Sequence, residues 1–217
     1  MADSESDGPG ARQETSEEGE ASLLALPDTG RGRGVLVLGA PGGALEREAC
    51  VRLARHDFVA LAPALPGVAP GTPIRDAERA AVDAAIHALF CEVATEGPRV
   101  GVLGFGRGAR LALDAAARGG RIACAVAFGR APEALPEGAS GREIPVLAVF
   151  AEKDEAVAAG RAAGLAERLR DEAPACTLRV EPGVAPGYLD PARPDRYDAV
   201  AARASWDAVL ERLRAEL

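Results

Sequence analysis

Apolar side chains along this chain fall into short unbroken runs separated by longer segments of helical spacing. Val35 to Leu38, Phe58 to Ala62, Ile122 to Phe128 and Ile144 to Phe150 show no alternation with polar residues, the pattern of strands covered on both faces. Thr177 to Val180 is a shorter strand. Between the runs, Leu45 to Arg55 has helical spacing. So does Ile74 to Val93, with Ala81, Val82, Ala85, Ile86, Leu89 and Phe90 on one face. Ala156 to Arg170 and Tyr197 to Leu217 complete the helices, the last carrying Trp206, Val209, Leu210 and Leu213. Strands regularly separated by helices predict a parallel sheet with right-handed crossovers and helices on both sides. Function in such a sheet is sought in the loops at the carboxyl ends of the strands, here those beginning at Gly39, Pro63, Gly104, Gly129, Ala151 and Glu181.

Met1 to Ser22 breaks this pattern. It holds seven acidic residues against Arg12, so six of the eight net negative charges lie there. With almost no apolar side chains it cannot offset the entropy of ordering, and a disordered acidic tail is expected, followed by one domain over 23–217. The remainder is nearly balanced in charge and poor in aromatics, which excludes a basic, phosphate-tracking surface; no nucleic-acid partner is expected. No leader pattern or long uncharged apolar run is present, so a cytoplasmic protein without membrane partners is expected. Cys50, Cys91, Cys124 and Cys176 are too widely spaced for a zinc site or a disulfide framework, and free buried thiols are predicted. No metal and no cofactor is expected.

Arg99 to Ala117 reads as strand, glycine corner and helix. Its centre, Gly104-Phe105-Gly106-Arg107-Gly108, has the spacing of the nucleophile elbow of α/β-hydrolases, in which a sharp turn lifts one reactive side chain above the sheet. The reactive position is Gly106. Glycine accepts the positive φ of such a turn but brings no oxygen or sulfur for attack on a carbonyl.

Arg99 to Leu113 together with Pro145 to Asp154 and Pro182 to Pro191 resembles the dienelactone hydrolase family. Val35 to Leu65, with Arg52-Leu53-Ala54 and Ala62-Pro63-Ala64-Leu65, is similar as well. The resemblance implies an α/β-hydrolase-like, mostly parallel sheet and, by family, hydrolysis of lactone or ester bonds in small molecules. It places the family's cysteine nucleophile at Gly106, its aspartate at Asp154 and its histidine at Pro186, which is followed by Gly187 and Tyr188. The family's first-loop glutamate falls at Ala40. Of three triad positions, only the acid survives.

The same gap is visible without the family. A hydrolase of this topology needs a histidine after the acid, and both histidines, His56 and His87, precede the elbow. His56 ends a helix. His87 lies one turn before Cys91 on a shared face, read as a packed helix face rather than a catalytic pair. Asp154 directly precedes a helix and suits an N-cap, with triad ancestry explaining its place.

The pocket then retains the backbone N–H groups of Arg107 and Gly108 at a helix start, facing Ala40 and Pro41, with Tyr188 nearby. These are the expected ligand contacts for a carboxylate or a lactone. A non-catalytic member of the fold, binding such a molecule or a protein partner, is the leading reading. Two others stay open. Hydrolysis through a relocated group would draw on Cys91, Ser140 or Tyr188, none with an identifiable base in a strand-end loop. Dinucleotide binding would use Gly104-x-Gly106-x-x-Ala109, but the next strand ends Phe128-Gly129-Arg130 without the acid that grips a ribose.

Overall fold

The computed structural model describes residues 11–15, 21–40, 42–66, 72–129, 144–158 and 175–217. Among the described residues eight strands form one sheet: β1 Ala11–Thr15, β2 Ala21–Ala25, β3 Gly32–Leu38, β4 Phe58–Ala62, β5 Thr95–Phe105, β6 Ile122–Phe128, β7 Val146–Ala151 and β8 Cys176–Glu181. Their order across the sheet is β1-β2-β4-β3-β5-β6-β7-β8. Every pair from β4 to β8 is parallel, whereas β1 with β2 and β2 with β4 are antiparallel. Helices α1 Ala44–Ala54, α2 Asp76–Cys91, α3 Arg107–Arg118 and α5 Ala199–Glu216 lie between or after the strands. Glu155–Ala158, here α4, is the described part of the helix expected from Ala156 to Arg170.

The unbroken apolar runs follow from coverage on both faces. In β3, Val35 and Val37 join a core with Leu53 of α1 and Trp206, Val209 and Leu213 of α5. Leu36 and Leu38 point the other way, toward Val82 and Leu89 of α2 and Leu111 and Ala115 of α3. Residue-by-residue alternation of facing, with both faces dry, leaves no polar position from Val35 to Leu38.

Two expectations need correction. Residues 11–15 and 21–22 of the expected disordered tail are strand. β1 needs only backbone partners, and β2 supplies them. Ser22 accepts a hydrogen bond from the Ala64 N–H at 2.9 Å, while Leu23 and Ala25 are buried in the core. Residues 1–10 and 16–20 of that segment lie outside the described residues. The second correction concerns α2, whose buried stripe is Glu78, Val82, Ala85 and Leu89. That stripe leaves His87 and Cys91 on the exposed side, with Cys91 Sγ 3.6 Å from His87 Nε2. Cys91 is therefore an exposed thiol, Cys50 and Cys124 are buried, and Cys176 is half-buried. No helix among the described residues is long and apolar enough to cross a membrane.

Candidate functional site

Strand β5 ends and α3 begins within one residue, and Gly106 is that residue, with φ 55° and ψ −112°. Its N–H donates to the Phe128 carbonyl at 2.8 Å, pinning the turn to the end of β6. The flanking glycines are demanded by packing: a Cβ on Gly104 would run into the Gly108 carbonyl, and one on Gly108 into the Leu38 carbonyl at the end of β3. At Gly106 a Cβ would meet nothing within 4 Å. The elbow thus keeps the close strand–helix contact and open space at the position from which a nucleophile would project, while the residue there has no side chain.

Among the described residues no side chain caps the start of α3. The first N–H groups, including those of Arg107 and Gly108, form the positive end of the helix. The Arg107 side chain is turned away to α2, where its Nε and Nη2 donate to the two carboxylate oxygens of Glu78 at 2.7 and 2.6 Å. It also donates to the carbonyls of Thr72 and Pro73, at 2.8 and 3.0 Å. Glu78 is 1% exposed and further accepts from the Arg75 N–H at 3.0 Å. The Arg107 guanidinium holds the Glu78 carboxyl well down, at about 2. A fork-to-fork pair of this kind fixes orientation as well as position, and here it fixes the residue after the elbow glycine. An acidic residue in the first turn of a helix reads as favourable for the helix dipole, so sequence alone did not distinguish Glu78 from its solvated neighbour Asp76.

Asp154 stands at the end of β7, immediately before α4, and is 2% exposed. Pro186 lies in the loop after β8, and its carbonyl accepts from Arg196 at 3.2 Å. Gly187 follows with φ 96°. Tyr188 is buried, and its hydroxyl is 2.7 Å from Ser205 Oγ on α5. Ser205 in turn donates to Glu181 at 2.9 Å, so the Tyr188 hydroxyl donates to Ser205. Arg179 pairs with Glu181. Burial pushes the Tyr188 hydroxyl up to about 12. The structure therefore commits this hydroxyl to an internal chain that fastens the Pro186 loop to α5.

The first strand-end loop, between β3 and α1, contains a group the sequence reading passed over. Pro41 lies outside the described residues. The Ala40 N–H donates to Glu46 Oε1 at 2.9 Å, and Glu46 is 7% exposed. A Cβ on either Gly39 or Gly43 would strike the Glu46 carboxylate, so the loop is wrapped around it. Burial raises the Glu46 carboxyl above its ordinary range against the hydrogen bonds it accepts, and Asp190, from the loop after β8, adds like charge. Family correspondence puts the first-loop glutamate at Ala40, yet a carboxylate reaches this loop from three residues into α1. Glu46 was legible only as one of several charged residues in a helix; its place three residues after the N-cap, Gly43, was the available signal. Among the described residues no cluster of three or more His, Cys, Asp or Glu side chains is arranged to hold a metal ion.

A glycine elbow between a central parallel strand and its helix, with an acid at the end of a later strand, defines the α/β-hydrolase fold. The structure is similar to that of a protein from Klebsiella pneumoniae assigned as a dienelactone hydrolase, with 20% identity, a TM-score of 0.80, and coverage of 97% of this chain and 100% of that one. It is similar to a dienelactone hydrolase-like promiscuous phosphotriesterase from metagenomic libraries, with 20% identity, a TM-score of 0.78, and coverage of 97% and 99%. A dienelactone hydrolase from Anabaena variabilis gives 18%, 0.71, and 97% and 100%. No curated protein sequence matches the chain. The profile of the dienelactone hydrolase family matches residues 21–217, and the chain belongs to that family. The Gly104-x-Gly106-x-x-Ala109 spacing is accounted for by the hydrolase elbow.

Proposed function

We propose that this chain is a non-catalytic member of the dienelactone hydrolase family whose cleft binds a small ester, lactone or carboxylate. One observation carries the reading: the elbow has its turn geometry and open space, and the residue in it is Gly106. Without a side-chain nucleophile no acyl-enzyme forms, and with Pro186 in the later loop no imidazole relays a proton. What is left is the electrostatic half of such a site, the α3 start with its backbone donors held in place by the Arg107–Glu78 pair.

Hydrolysis of p-nitrophenyl acetate and of a small lactone tests this. The wild-type chain is expected to be inert, and Gly106→Cys with Pro186→His to gain turnover that disappears when Asp154→Asn is added. Turnover by the wild type overturns the reading. A relocated nucleophile has one observation in its favour, the contact between Cys91 and His87. That pair ends α2 just before β5 begins, at the edge of the sheet opposite the elbow, so a Cys91→Ser variant that abolished wild-type turnover would be required to support it. Ser140 lies outside the described residues.

A further inference from the structure

Beside the elbow, between the loop after β3 and the end of β4, lies a small cavity with about 20 Å³ of free space. Leu23, Val37, Ala62 and Pro63 make its apolar wall, and Glu46 and Arg47 are its charged residues. This volume admits a group of about the size of water, not a ring. The Glu46 carboxylate beside it is more than nine-tenths buried, and Asp190 adds negative potential from the loop after β8. A carboxylate ligand entering here would meet like charge in a setting of weak solvent screening. A divalent ion would need six or more oxygen donors, and no three-residue ligand cluster is present among the described residues. The head group that fits in size and charge is a primary ammonium, compact, cationic and rich in donors, with its carbon chain lying outside the cavity. Arg47, exposed at the rim, suits an acceptor elsewhere on the same molecule.

We propose that Glu46 is the specificity-determining residue of the cleft and that it selects a small molecule carrying a primary ammonium. This rests on the ligand-binding reading above and names one end of the ligand. The other end, an ester or carboxylate, goes to the start of α3, next door through the contact of Gly108 with Leu38 and Gly39.

The test is a backbone-amide NMR titration of the full chain at constant ionic strength with ethylammonium, ethanol, acetate and potassium ion in turn. Saturable shifts at Ala40, Gly42 and Gly43 with ethylammonium alone are expected. Glu46→Gln, whose side-chain carbonyl still accepts from the Ala40 N–H, should weaken them roughly tenfold, the scale of one charge-assisted hydrogen bond. Ala62→Val, which fills the cavity from the opposite wall and leaves the carboxylate in place, should remove them. An equal response to potassium, a response of these amides to acetate, or undiminished ethylammonium binding in Glu46→Gln overturns the assignment. The underlying reading fails separately: it is lost if acetate leaves Gly106, Arg107 and Gly108 unmoved, whatever ethylammonium does at Ala40.

Discussion

Two glycine-rich loops lie side by side at the carboxyl edge of the sheet, and they are glycine-rich for different reasons. After β5, Gly104 and Gly108 are required by backbone: each has a carbonyl where a Cβ would stand. After β3, Gly39 and Gly43 are required by a side chain, the Glu46 carboxylate folded beneath them. Gly106 belongs to neither group, since a Cβ there has open space and only the positive φ opposes it. The comparison separates a glycine that the architecture needs from one that the chemistry lacks. Only the second kind bears on the proposed absence of catalysis.

Substitutions break or sharpen this contrast. The largest effect is expected from Arg107→Ala, which removes both short guanidinium bonds to buried Glu78, leaves it only the longer pair with Arg75, and should cost about 3–5 kcal/mol in chemical denaturation. Next, Gly108→Ala should cost about 3 kcal/mol, because a methyl group is driven into the β3 backbone. Gly39→Ala should be comparable in the wild type, but its cost should fall sharply in a Glu46→Ala background. A double-mutant cycle with strong coupling between 39 and 46, and none between 108 and 46, would sustain the distinction between the two loops. Gly106→Ala should be milder, about 1–2 kcal/mol from backbone strain alone. A penalty at Gly106 as large as at Gly108 would remove the argument for an open nucleophile position.

The two carboxylates also predict opposite slopes with pH. The Glu78 carboxyl is held at about 2 in the folded chain against an ordinary 4.5, so its contribution is present above the ordinary value and is lost as pH falls from there toward 2. The Glu46 carboxyl is raised, so its contribution is full below 4.5 and is lost as pH climbs from there through its folded value. Denaturation midpoints across acidic pH should lose the lower limb in Glu78→Gln and the upper one in Glu46→Gln. Unchanged profiles in both variants would contradict these assignments. The smallest perturbation is a labelling experiment. Cys91 should react fast with a thiol reagent in the native chain, and Cys50 and Cys124 only on unfolding, because burial pushes both of their thiols up to about 12.

Most of the framework was readable from local pattern. Phe58–Ala62 and Ile122–Phe128 are strands with the bounds their apolar runs suggest, and α1, α2 and α5 differ from expectation by one or two residues at their ends. β1 was missed because its sequence has no apolar signal; an edge strand can be held by backbone pairing alone. Within the candidate site, Gly106, Asp154 and Pro186 were singled out by resemblance to the family's motif positions. Glu46 and Glu78 were not, since a glutamate in the first turn of a helix has the same appearance whether water or protein surrounds it.

By itself, then, the sequence determined the alternation of strands and helices, the glycine corner after the central strand, and the absence of a side-chain nucleophile in that corner. These are matters of spacing and residue type, and a few neighbouring residues settle them. The tertiary structure alone decided that Arg107 turns from the cleft to Glu78, 29 residues away, that Tyr188 spends its hydroxyl on Ser205, and that Glu46 is buried beneath a loop. The charge and protonation of such groups depend on what has been packed around them, and packing brings together residues that the order of the chain keeps apart.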